Sequence, residues 1–138
     1  MYAIRKQFKF EAAHHLNGLP DDHKCAKAHG HSYVVEIELS SPALDATGFV
    51  TDFANLAPIG GYIASTLDHT YLNELRAVDE HGQDAGPLFP QPSSEQLARH
   101  LYDIAVQLLP ESISGLVTAV RIWETAFSSA VYLPGEAS

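Results

Sequence analysis

Alternation with a period of two runs through the start of this chain, and it limits the fold more than any other feature. Tyr2, Ile4, Phe8, Phe10 and Ala12 share one parity, while Arg5, Gln7, Lys9 and Glu11 share the other. Successive side chains of a strand point to opposite faces, so this pattern predicts a strand with one face buried. The stretch "HSYVVEIELS" repeats it, with Tyr33, Val35, Ile37 and Leu39 inward and Glu36 and Glu38 outward. Between the two lies "NGLPDDHKCAKAHG", dense in turn formers. Two long strands joined by one loop predict antiparallel neighbours.

The rest of the chain changes period. After the turn "SPALDATG", the short run "FVTDF" is placed to close a hairpin. Leu56, Ile59 and Ile63 have helical spacing with Asp52 as N-cap, although Gly60 and Gly61 weaken that helix. The segment "LDHTYLNELRAVDEHGQDAGPLFPQP" shows no periodicity and reads as a long loop, a class that often carries function. In "SSEQLARHLYDIAVQLLP", Leu97, Leu101, Ile104, Ala105 and Leu108 form one stripe of an amphipathic helix. Ser93 with Gln96 fits a capping box, and Pro110 ends the helix. Two strands, "GLVTAVRIWET" and "SAVYL", close the chain. The order β-β-α-α-β-β predicts an α+β fold, a four-stranded antiparallel sheet with two helices on one face.

Bulk properties exclude several function classes. A chain of 138 residues is expected to form a single domain, 1–138, with a real core. Its formal charge of −9 disfavours nucleic acid as a partner, which requires a basic face. It leaves room for a phosphorylated ligand, which a few local cations can hold. One cysteine rules out an internal disulfide and suits a reducing compartment. No long apolar run marks a signal peptide or a membrane span, so a soluble, cytoplasmic protein is expected.

The candidate chemistry lies in the histidines. A lone histidine at a strand end is usually a hydrogen-bonded, partly buried residue. Here, however, His29 and His31 are two apart on the buried parity of one strand, and His14 ends the buried parity of its neighbour. Three imidazoles would then meet at one end of the sheet, the pattern of a catalytic zinc site with an open position. His15 has the wrong parity and His23 lies in the loop, so neither is expected to join. Cys25 can be read as a small buried hydrophobe, as a fourth ligand of a structural site, or as a catalytic thiolate beside the metal. Asp68 and His69 pair a carboxylate with an imidazole, but sequence neighbours do not easily hydrogen-bond head to head. Glu124 shares parity with Val120 and Ile122, which points a carboxylate toward the apolar side. Burial of that charge requires a partner, and a ligand would serve.

The blocks "FEAAHHL", "CAKAHGHSY", "GFVTDF", "LDHTYLN", "PSSEQLA" and "WET", in this order, resemble the 6-pyruvoyltetrahydropterin synthase family. They are most similar to its bacterial branch, the 6-carboxytetrahydropterin synthases of queuosine biosynthesis. The resemblance spans about Phe10 to Tyr132 and implies the tunnelling fold (T-fold). It implies zinc on His14, His29 and His31, with Cys25 as catalytic base, Asp68 and His69 as a proton-relay pair and Glu124 as pterin anchor. The implied substrate is 7,8-dihydroneopterin triphosphate, giving 6-carboxytetrahydropterin, acetaldehyde and triphosphate. Trimers closing a barrel and stacking into hexamers are implied as well, with sites at subunit interfaces. Two alternatives stand beside this: pyruvoyl formation from the same substrate, and a zinc-binding module without chemistry. The stretch from Asn73 to Ser93 is longer than the family's short connection, and "PSSE" departs from its usual Pro-Thr-containing signature.

Overall fold

The computed structural model describes residues 1–135. Strands β1 (Tyr2–His14) and β2 (His29–Ser41) pair antiparallel over their whole length, from Tyr2 opposite Ser41 to His14 opposite His29. The one-to-one register carries the alternation of both strands onto a common buried face. Phe10, Tyr33, Val35, Ile37 and Leu39 are all at most 2% exposed. Helix α1 (Ala57–Tyr62) is entered through a 3-10 turn, Phe53–Leu56, that Asp52 caps by accepting from the Ala54 N–H. It continues as a π-helical turn, Ile63–Leu67. Gly60 has a packing reason, because a Cβ there would lie 2.8 Å from the ring of Phe8.

Helix α2 (Ser94–Leu108) starts at the expected Ser93 cap, whose hydroxyl oxygen accepts from the Gln96 N–H. Leu97, Leu101 and Ala105 are fully buried against the sheet. Leu108 is not part of that stripe: it is 42% exposed, and Leu109 turns inward instead at 5%. The residue before a proline avoids helical backbone, so Leu109 becomes extended ahead of Pro110 and swings its side chain to the core. A short helix α3 (Glu111–Ser114) leads into β6 (Val117–Thr125) and β7 (Ser128–Tyr132).

Three expectations about the middle of the chain need correction. Phe49–Phe53 makes no hairpin strand: Asp45 accepts from the N–H groups of Thr47 and Phe49 and curls the segment into a bend. A two-residue strand, β3 (Thr70–Tyr71), pairs parallel with Ala12 and Ala13 of β1. The main sheet is therefore five-stranded and mixed, in the order β3-β1-β2-β6-β7. The supposed loop holds a separate hairpin of β4 (Arg76–Val78) and β5 (Asp84–Pro87). Asp79 accepts from the N–H groups of His81 and Gln83, Gly82 supplies a φ of 78°, and Arg76 grips the Asp84 carboxylate with nitrogens at 3.1 and 3.2 Å. Strands of three and four residues are too short to display a period of two. Among the described residues no helix is long and apolar enough to cross a membrane.

Candidate metal centre and active site

The β1–β2 register puts His14 opposite His29 and Ala12 opposite His31, so three imidazoles meet at one end of the sheet. Their ligand-capable atoms all lie within 4.8 Å of one another. Second partners fix two of the tautomers. His14 Nδ1 lies 2.7 Å from the carbonyl of Pro92, and His29 Nδ1 lies 2.7 Å from the carbonyl of Lys27. A carbonyl only accepts, so each Nδ1 carries the proton and each Nε2 presents a lone pair. Those two Nε2 atoms stand 3.0 Å apart. His31 Nε2 is buried and has no hydrogen-bond partner among the described residues. Desolvation lowers the pKa of His14 and of His31 below 6.5, which favours the neutral, ligating form at both. The two inward lone pairs of His14 and His29 repel at that distance, unless a cation sits between them, and His31 Nε2 stands beside them without a partner. Nitrogen donors held from behind by carbonyls suit zinc.

Glu124 borders this cluster without joining it. The β6–β7 pairing shifts register between Trp123 and Thr125, and the carboxylate at the shift reaches toward β2. Its Oε2 lies 4.0 Å from His31 Nε2, and its Oε1 accepts a 2.5 Å hydrogen bond from the hydroxyl of Ser94. A recess of about 160 Å³ opens here, with Ser94, Glu124, Ser128 and Ser129 in its wall. Sequence reading passed over Ser94 in favour of its capping neighbour. A signal existed, since Ser94 stands at helical spacing from Leu97, Leu101 and Ala105 and is therefore a polar residue on the apolar stripe.

Cys25 is partly exposed in a 3-10 turn, Lys24–Ala26, and is not among the clustered ligand atoms. The turn is held at both ends: His23 Nδ1 accepts from the Cys25 N–H, and the Cys25 carbonyl accepts from the Leu16 N–H. His15 faces away from the cluster and bonds Tyr71 and Asn73.

Asp68 and His69 do meet, contrary to expectation, with His69 Nδ1 3.0 Å from an Asp68 carboxylate oxygen. The backbone makes this possible. His69 has a φ of 61°, a left-handed conformation that folds the imidazole back over its neighbour. That conformation costs a non-glycine residue on the order of 1 kcal/mol. Two hydrogen bonds to the backbone of β1 hold it, from the Glu11 N–H to Asp68 Oδ1 and from the His69 N–H to the Glu11 carbonyl. The Glu11 N–H, and then the His69 imidazole, hold the Asp68 carboxyl below the usual range. The pair sits beyond the β1 edge, where Glu11, Gly30, His31, Ser32 and His69 line a shallow recess of about 480 Å³. The two halves of the expected site therefore differ in kind: the three histidines and Glu124 share one end of the buried face, whereas Asp68 and His69 occupy an exposed rim.

Comparison with known proteins sets this arrangement in context. The sequence profile described as 6-pyruvoyl tetrahydropterin synthase matches residues 3–135. The chain belongs to this family. Relatives within it are the 6-carboxy-5,6,7,8-tetrahydropterin synthases of Synechocystis, 32% identical with 96% of this chain and 93% of that protein covered, and of Aquifex aeolicus, 30% identical with 95% and 97% covered. That of Rickettsia bellii is 29% identical over 91% of this chain and 95% of its own. The 6-pyruvoyl tetrahydropterin synthase of Caenorhabditis elegans superposes with a TM-score of 0.78 at 23% identity, covering 97% of this chain and 96% of that one. An uncharacterized protein from Wolinella succinogenes gives 0.77 at 24% identity, with 97% and 98% covered. The 6-pyruvoyl tetrahydropterin synthase family thus supplies the fold, the α+β T-fold, and tetrahydropterin synthases as its named relatives. Among the departures from the sequence expectation are the extra short strand, the separate hairpin and the bend in place of a hairpin strand at Phe49–Phe53.

Proposed function

We propose that this chain is a 6-carboxy-5,6,7,8-tetrahydropterin synthase. As such it is a zinc-dependent lyase that converts 7,8-dihydroneopterin triphosphate to 6-carboxy-5,6,7,8-tetrahydropterin, acetaldehyde and triphosphate. The observation that carries this reading is the meeting of three imidazoles beside the Glu124 carboxylate, with the Nε2 atoms of His14 and His29 facing each other and that of His31 unpartnered among the described residues. His14, His29 and His31 would hold zinc through Nε2. Zinc bound there supplies Lewis-acid polarisation of the substrate's side-chain hydroxyls, which acidifies the adjoining C–H bonds.

The chain's own residues do the rest. Glu124 accepts from the 2-amino and ring N–H donors of the pterin, a flat fork that a carboxylate matches as it matches arginine. Cys25, near the histidines in sequence and outside their cluster, takes a proton from the side-chain carbon. His69, oriented by Asp68, returns protons to the departing fragments. Lys24 and Lys27, both exposed beside Cys25, are cations available to the triphosphate. We read the chain as one domain, 1–138, acting in the cytoplasm as a homo-oligomer. The test is incubation of the zinc-loaded protein with 7,8-dihydroneopterin triphosphate and identification of the products by mass spectrometry. Acetaldehyde together with the 6-carboxy product supports the proposal. A 6-pyruvoyl product without acetaldehyde moves the chain to the other activity, and unchanged substrate rejects both.

A further inference from the structure

Ser94 is 5% exposed and opens α2, yet its hydroxyl does no capping, because Ser93 already accepts from the Gln96 N–H. It donates instead to Glu124 Oε1 at 2.5 Å, the one side-chain hydrogen bond to Glu124 among the described residues. The other oxygen, Oε2, faces the unpartnered His31 Nε2 across 4.0 Å. The three imidazole donors themselves spread over as much as 4.8 Å, so Oε2 stands at ligand-like range from one of them while remaining outside the cluster. A carboxylate is a good zinc ligand, and a glutamate side chain swings by rotating bonds with low barriers. An untethered Glu124 carboxylate has the chemistry to compete for the same ion.

We infer that Ser94 is a positioning residue that keeps Glu124 off the metal. Its hydroxyl fixes Oε1 on the α2 side, which leaves the fourth coordination position to substrate and keeps the carboxylate aimed into the Ser94–Glu124–Ser129 recess. This rests on reading the three histidines as a metal site and Glu124 as the pterin anchor. It predicts effects of opposite sign on two ligands, whereas a merely structural serine would weaken both or neither.

The experiment measures zinc affinity by competition with a chromophoric chelator, and neopterin affinity of the zinc-loaded full chain by fluorescence titration. In Ser94→Ala, zinc binds on the order of tenfold tighter and neopterin on the order of tenfold weaker. Ser94→Thr, which keeps the hydroxyl, restores both toward wild type. In the double variant S94A/E124Q the gain in zinc affinity disappears, because an amide is a poor ligand. Unchanged or weakened zinc binding in Ser94→Ala overturns the inference, as does tight zinc binding that persists in the double variant. Wild-type protein that takes up no zinc, or Glu124→Gln alone that binds neopterin as the wild type does, overturns the underlying reading instead.

Discussion

Cys25 sits outside the histidine cluster in a turn tied down through its backbone, so removing the thiol subtracts nothing from the three imidazoles. Cys25→Ala is expected to retain bound zinc and the fold while turnover falls by roughly a hundredfold to ten-thousandfold, the range for losing a positioned base. Loss of zinc from that variant, read by elemental analysis, would instead make the thiol a ligand and the site structural. The histidines divide in the opposite way. His14→Ala, His29→Ala or His31→Ala leaves two nitrogens and should abolish stoichiometric zinc. His15→Ala should leave it near one per chain, because His15 turns toward Tyr71 and Asn73. If His15→Ala loses zinc while His14→Ala keeps it, the assignment of faces is wrong.

At the scale of elements, α2 is the piece on which the site depends, since it carries Ser94 at one end and packs on the sheet through Leu97, Leu101 and Ala105. Leu101 has no exposed surface, so Leu101→Ala is expected to cost about 2–5 kcal/mol in chemical denaturation. The same helix meets α1 through a polar contact, the Tyr62 hydroxyl and His100 Nε2 lying 2.6 Å apart. Burial pushes the Tyr62 pKa up to about 12, so the hydroxyl stays protonated, and desolvation holds His100 below 6.5. Above the unfolded value of 6.5, His100 is neutral in both states and contributes no pH dependence. As pH falls below 6.5, the unfolded chain takes up a proton that the folded chain resists, and stability declines toward the folded pKa. His100→Gln keeps a hydrogen-bonding partner for Tyr62 without titrating, so its melting temperature should fall less steeply than wild type from pH 7 to pH 5. Parallel curves for the two proteins would remove His100 from the acid limb.

For the whole molecule, the sheet edges govern assembly. β3 covers only Ala12 and Ala13, which leaves most of the outer edge of β1 unpaired, and β7 leaves the opposite edge open. Open edges recruit further strands. Tyr2, Leu44, Phe49 and Phe53, each between 41% and 51% exposed, add apolar surface near the start of β1. The protein is expected to sediment as a trimer or hexamer at micromolar concentration, and a monomer under those conditions would contradict this.

Much of this was legible in the residues themselves. Period-two alternation determined β1, β2 and their buried faces, because a strand gives a side chain no other choice of face. The same parity put His14, His29 and His31 on one side, and helical spacing with a serine cap determined α2. Tertiary structure decided what depends on distant backbone. The hairpin β4–β5 was hidden because strands of three and four residues carry no readable period. The Asp68–His69 contact was hidden because it depends on a left-handed φ held by two hydrogen bonds to Glu11 of a distant strand. Which histidine nitrogen carries its proton was settled by the carbonyls of Pro92 and Lys27, and the aim of Glu124 by a hydroxyl thirty residues earlier in the chain. Side-chain direction is a local property of the strand, whereas the partner that fixes a tautomer or tethers a carboxylate arrives only when the chain closes on itself.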